Sequence, residues 1–258
     1  MIPESLFIIL AGIMGLLIGS FLNVVAIRVP EGRSIVFPAS HCMKCGNTLR
    51  KFDLVPVLGY IWLRGKCRFC KTSVSPVYPL GELVTGTLFA VYAWQMGWQL
   101  ELIPALLFVS ILLVIVQTDL RLMIIPDRVV LFGLLAIVPI RLFVSHPLPL
   151  WSYAVAGLGV GILLFLLAVV SKGGIGGGDI KLFALLGLFL GLQNTFLALF
   201  IASLLGVLVG FATRLLRKDS KKKFIPFGPF IAAGALFSYL WGEKAFTWYW
   251  SLLTSGGS

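Results

Sequence analysis

Eight apolar stretches alternate with polar links along this chain. They run over Leu6–Ile27, Leu80–Trp98, Leu102–Thr118, Val129–Val144, Trp151–Val170, Ile180–Leu192 and Thr195–Thr213, with a last one ending near Trp250. A helix needs about 20 apolar residues to cross a bilayer, and most of these approach that length. The pattern predicts an all-α polytopic membrane protein of about eight transmembrane helices. The first stretch has no basic residue ahead of it, and Glu4 precedes it. It is also longer than the apolar region of about 7–15 residues in a cleavable signal, so it is expected to be retained. Gly12, Gly15 and Gly19 form a small-residue stripe suited to helix packing, and Asn23 is expected to bond a neighbouring helix.

Composition agrees with the pattern. Of 258 residues, 59% are hydrophobic and 12% charged, against about 25% charged in a soluble domain. The net charge of +11 would suggest nucleic acid in a soluble protein. Here the basic residues gather in alternate links, all of them except Arg141 and Lys244 on one side. The positive-inside rule explains this and places both termini outside, so no nucleic-acid partner is expected. The run Arg214, Arg217, Lys218, Lys221, Lys222 and Lys223 reads as an anchor on anionic lipid. The Trp248–Trp250 cluster reads as an outer aromatic belt.

The one long polar region, residues 28–79, is basic and therefore cytoplasmic. It holds all four cysteines as two Cys-x-x-Cys knuckles, Cys42 with Cys45 and Cys67 with Cys70, separated by the 21 residues 46–66. Four thiolates can surround one Zn²⁺ tetrahedrally, leaving no open position, so the metal would be structural. Disulfides are disfavoured in the cytosol, and His41 is expected to be a bystander.

Two carboxylates stand out. Asp179 follows the glycines Gly173, Gly174, Gly176, Gly177 and Gly178 between two apolar stretches, and Asp119 ends an earlier one. A carboxylate at membrane depth is costly and by default functional. Asp127 has a simpler role, as a first-turn partner of a helix dipole with Pro126 at the first helical position. Glu82, expected in a first turn, admits the same explanation or a functional one. Asp119 follows a helix carboxyl end, where negative charge is disfavoured, and Asp179 precedes an amino end. That asymmetry makes Asp179 the base and Asp119 the acid of a proton-sharing pair. The glycines would let an extended substrate lie beside Asp179. A polytopic transporter using the aspartates for protons or ions is the alternative. It leaves the knuckles unexplained.

Several motifs occur in order. They are Gly19-Ser20-Phe21-Leu22-Asn23-Val24-Val25, the paired knuckles, Asp119 followed by Ile125-Pro126-Asp127, Gly176–Lys181, and Pro226-Phe227-Gly228-Pro229. Together they resemble the type IV prepilin peptidases, a family of membrane aspartyl proteases. The resemblance spans about residue 12 to about residue 235. It implies catalytic aspartates at Asp119 and Asp179 and cleavage of a short leader from prepilins or pseudopilins on the cytoplasmic side. It also implies methylation of the new amino terminus with S-adenosylmethionine, and residence in the bacterial inner membrane serving type IV pili or type II secretion. The methyl-transfer residues are not identified by the resemblance, and Glu82 and the cytoplasmic region are the candidates. The chain then divides into a first transmembrane helix (1–27), the four-cysteine zinc region (28–79), a transmembrane peptidase domain (80–250) and a tail (251–258).

Overall fold

The computed structural model describes residues 3–144, 148–216 and 225–255. These form helices α1 (Glu4–Arg28), α2 (Leu58–Trp62), α3 (Val77–Met96), α4 (Leu102–Leu122), α5 (Asp127–Phe143), α6 (Leu150–Val170), α7 (Gly177–Leu190), α8 (Leu192–Leu216) and α9 (Gly228–Ser255). Among the described residues there is no strand, only the isolated bridges His41–Thr48 and Lys66–Ser73. Among the described residues four helices, α1, α4, α6 and α8, are long and apolar enough to cross a membrane. Parts of two expected features, the 217–223 end of the basic run and the tail end at 256–258, lie outside the described residues.

Two compact units divide the chain, residues 1–118 and 119–258, with the boundary inside α4. In the first, α1 packs along α3. The small-residue stripe is the contact: a Cβ on Gly15 would fall 2.8 Å from Gly86 Cα, and one on Gly19 would fall 2.9 Å from Glu82 Cα. Asn23 donates to the Tyr78 carbonyl at 3.0 Å, so the polar residue does bond across helices. Gly97 ends α3 at φ +64°, a left-handed stop that glycine adopts without a Cβ penalty.

In the second unit α7 is central, packing against α5, α6, α8 and α9. Leu182, Phe183, Leu185, Leu186, Phe189 and Leu190 are buried along it. This explains a helix of only 14 residues. It is surrounded by protein, and its length need not match the bilayer. The α7–α8 link is shorter than expected. Gly191 alone makes the turn at φ +75°, and Gln193 and Asn194 belong to the first turn of α8.

Candidate functional site

Asp119 lies within the last turn of α4, not beyond its end, and is 6% exposed. Its Oδ2 accepts the backbone N–H of Gly228 at 2.7 Å. Gly228 opens α9, so the carboxylate sits on a helix amino terminus, where free N–H groups and the dipole favour negative charge. This removes the expected asymmetry between the two aspartates, because Asp119 has a helix amino end of its own. The reason for glycine is steric. A Cβ at Gly228 would come within 2.8 Å of Asp119 Oδ2 and 3.0 Å of its Cβ. Two prolines and a glycine in Pro226-Phe227-Gly228-Pro229 suggest a fixed, non-helical entry to a helix, and only the fold shows that the glycine seats Asp119.

Asp179 occupies the third position of α7 and is partly buried. Its carboxylate turns back on the Gly176 amide, the reach of an acidic residue in a capping box. Asp119 lies close enough for its charge to reach it, so the unit brings the two carboxylates into one neighbourhood. The glycines around them differ in purpose. A Cβ on Gly178 would meet Ile125 Cβ at 3.0 Å, so this glycine lets α7 pack on the α4–α5 link. A Cβ on Gly177 would meet nothing within 4 Å, which leaves the open side of the loop there. Pro126 is the N-cap of α5, one position earlier than expected, and Asp127 starts the helix. Asp127 also takes a 2.7 Å salt bridge from Lys181 of α7, both side chains being more than half exposed. It therefore braces α5 against α7, on the exposed surface.

The four cysteine sulfurs lie within 4.8 Å of one another and form a possible metal centre. Tetrahedral Zn–S bonds of about 2.3 Å put sulfurs about 3.8 Å apart, and Cys42 Sγ lies 3.7 Å from Cys70 Sγ. The knuckles repeat one geometry: Gly46 N–H bonds the Cys42 carbonyl, and Lys71 N–H bonds the Cys67 carbonyl. Both closing residues are left-handed, Gly46 at φ +71° and Lys71 at φ +57°. Contacts with Thr72, side chain first and then backbone, bring the Cys70 thiol down to about 6. Against the Asn47 amide, burial and the neighbouring thiols push Cys45 up to about 11. A bound dication would favour the thiolate form of all four. His41 is not in the cluster; its ring bonds the Ala39 carbonyl.

Glu82 differs from expectation. It sits in the second turn of α3, 8% exposed, and its Oε2 accepts the N–H of Val57 at 2.7 Å. Val57 is the N-cap of α2 with φ +59°, a strained value for a β-branched residue. Asp53 is braced by Arg68, whose hydrogen bonds hold its carboxyl below the usual range.

Comparisons with known proteins also divide the chain in two, with the break at residues 97–105. A model of the bacterial peptidase A24 N-terminal domain matches residues 13–96, and a model of the type IV leader peptidase family matches residues 106–211. A prepilin leader peptidase/N-methyltransferase of Bacillus subtilis is 40% identical over 238 residues, covering 92% of this chain and 95% of that protein. Its namesake from Pseudomonas putida is 38% identical over 270 residues, covering 93% and 92%. One from Pseudomonas aeruginosa is 33% identical over 276 residues, covering 92% and 91%. No solved structure matches the chain. On two family models and a 40% identity that extends over nearly its whole length, this chain belongs to the type IV leader peptidase family.

Proposed function

We propose that this protein removes the leader of prepilins or pseudopilins with the aspartates Asp119 and Asp179 and then methylates the exposed amino terminus; its relatives are named prepilin leader peptidase/N-methyltransferase. The observation that carries the peptidase half is the pairing of these two carboxylates in one unit, where the charge of one acts on the other. Two such groups cannot both ionise cheaply and share a proton. The ionised member takes a proton from water as the water attacks the scissile carbonyl. The protonated member donates to the carbonyl oxygen, and the roles reverse to protonate the leaving amine. The Gly228 N–H fixes Asp119 through this cycle. The open side of Gly177 gives an extended substrate room beside Asp179.

The rest of the reading is consistent with this. Zn²⁺ on Cys42, Cys45, Cys67 and Cys70 would be structural, since the four thiolates complete its shell. S-adenosylmethionine would supply the methyl group. About eight helices would cross a bacterial inner membrane, with termini outside and the zinc region cytoplasmic, in service of type IV pili or type II secretion. The division into residues 1–27, 28–79, 80–250 and 251–258 follows from that topology. Neither family model and none of the relatives named above supports the transporter alternative.

The test is cleavage of a prepilin by purified protein in detergent, with no ion gradient. Asp119→Asn and Asp179→Asn should each lose activity by about 10⁴-fold or more, the scale of removing a member of a catalytic unit. Wild-type activity should follow a bell-shaped pH profile, falling in acid as both aspartates protonate and in base as both ionise. A single-limbed profile, or survival of either Asn variant, would refute the shared-proton scheme.

A further inference from the structure

The first unit contains a cavity of about 440 Å³ beside the last turns of α1 and the first turns of α3, within the range of about 300–1,000 Å³ that holds a drug-sized ligand. Among its walls are Asn23, Val24, Arg28, Tyr60, Tyr78 and Glu82. Three polar members from α1 and α3 are at least nine-tenths buried: Asn23 is 5%, Arg28 9% and Glu82 8% exposed. Each is also under-used by the protein. Glu82 spends Oε2 on Val57, and its Oε1 takes no hydrogen bond among the described residues. Arg28 spends Nη1 on the Ser34 carbonyl. Asn23 donates to the Tyr78 carbonyl, and its Oδ1, turned onto Gly81, has no partner.

A buried acid and a buried guanidinium beside one cavity are expensive unless a ligand completes them. The charges are of opposite sign and do not form an ion pair with each other. That pattern suits a zwitterion better than a simple anion or cation. The tyrosines offer flat apolar faces of the kind on which a purine ring stacks.

We infer that this cavity is the S-adenosylmethionine site, with Glu82 facing the ligand's positive groups and Arg28 its carboxylate. The inference rests on the methyltransferase half of the proposed function and adds to it a location and residues. It puts methyl transfer in the first unit, on side chains other than the aspartates of the second. In the reaction the neutral α-amine of the cleaved pilin attacks the methyl carbon. A C–N bond forms as the S–CH₃ bond breaks, and the electron pair stays on sulfur, leaving a neutral thioether. The nitrogen becomes a methylammonium carrying the proton balance of the amine that entered. The Glu82 carboxylate holds the cationic ligand, and α3 supplies it from a position rigidly packed on α1.

Equilibrium dialysis of S-adenosylmethionine against the full chain in nanodiscs tests this. Wild type should bind saturably. Glu82→Gln keeps an acceptor for the Val57 amide but removes the charge, and should weaken binding by about tenfold or more. Val24→Trp leaves every polar group in place and fills the cavity, and should weaken binding similarly. Retained zinc content and an unchanged unfolding midpoint establish that each variant is folded. In the reaction with prepilin, the methylated fraction of the cleaved product should fall in parallel. If wild type binds and both variants match it, the site is wrong and the functional reading stands. If wild type cleaves prepilin and binds no S-adenosylmethionine, the methyltransferase reading fails and takes the site with it.

Discussion

Glu82 in the first unit and Asp119 in the second are held in nearly the same way. Each is more than nine-tenths buried, and each accepts one backbone N–H at 2.7 Å. In both cases the donor stands at the start of a helix, Val57 at the N-cap of α2 and Gly228 at the first residue of α9. The difference lies in what surrounds them. Asp119 has a second carboxylate near enough for its charge to be felt, whereas Glu82 lies beside a cavity with a buried guanidinium. One buried acid anchored by an amide can hold a cation in place. A pair of them can pass a proton. The anchoring is shared, and the neighbour decides the chemistry.

The comparison breaks hardest through the metal. Structural zinc contributes on the order of 10 kcal/mol to small zinc domains. Chelation, or Cys67→Ser, should therefore disorder the knuckle region and abolish ligand binding in the first unit. The bell-shaped pH profile of cleavage in the second should keep its shape. Thermal unfolding with zinc analysis checks the first outcome and the pH profile the second.

Gly228→Ala attacks the other side. The added Cβ has no room against Asp119; if Asp119 is catalytic as proposed, a displacement of about 1 Å should cost on the order of 100-fold. A kcat within about twofold of wild type would show that the Gly228 contact does not position the aspartate. A smaller effect sharpens the likeness of the two knuckles. Lys71 holds the left-handed position that Gly46 holds in the first knuckle. Lys71→Gly should stabilise the folded region, or at worst leave it unchanged, because a non-glycine residue there costs about 1 kcal/mol or more. A lower midpoint in a melt would contradict it. Least affected should be Asp127→Asn. Its exposed bridge to Lys181 is screened by solvent and is worth below about 1 kcal/mol. Cleavage should fall by no more than a few-fold.

Substituting valine for glycine separates packing from access. Gly178→Val would collide with Ile125 whatever the substrate does, so it cannot report on substrate approach. Gly177→Val meets no protein atom within reach and can. Only the coordinates assign these roles, since the two glycines are adjacent and alike in sequence.

The same limit governs the rest of the molecule. Long apolar runs announced the helices because the requirement to satisfy backbone N–H and C=O groups in lipid leaves little else. Paired knuckles announced a four-cysteine cluster because thiolate spacing is local. Asp119 and Asp179 stood out because carboxylates beside apolar runs are costly. Tertiary structure alone decided that Gly228 seats Asp119, that Lys181 reaches Asp127, and that Glu82 crosses from α3 to Val57, 25 residues away along the chain. The sequence determined which residues were expensive to place, since cost depends on residue type and local pattern. Which partner relieves each cost depends on how distant segments meet, and no periodicity along the chain encodes that.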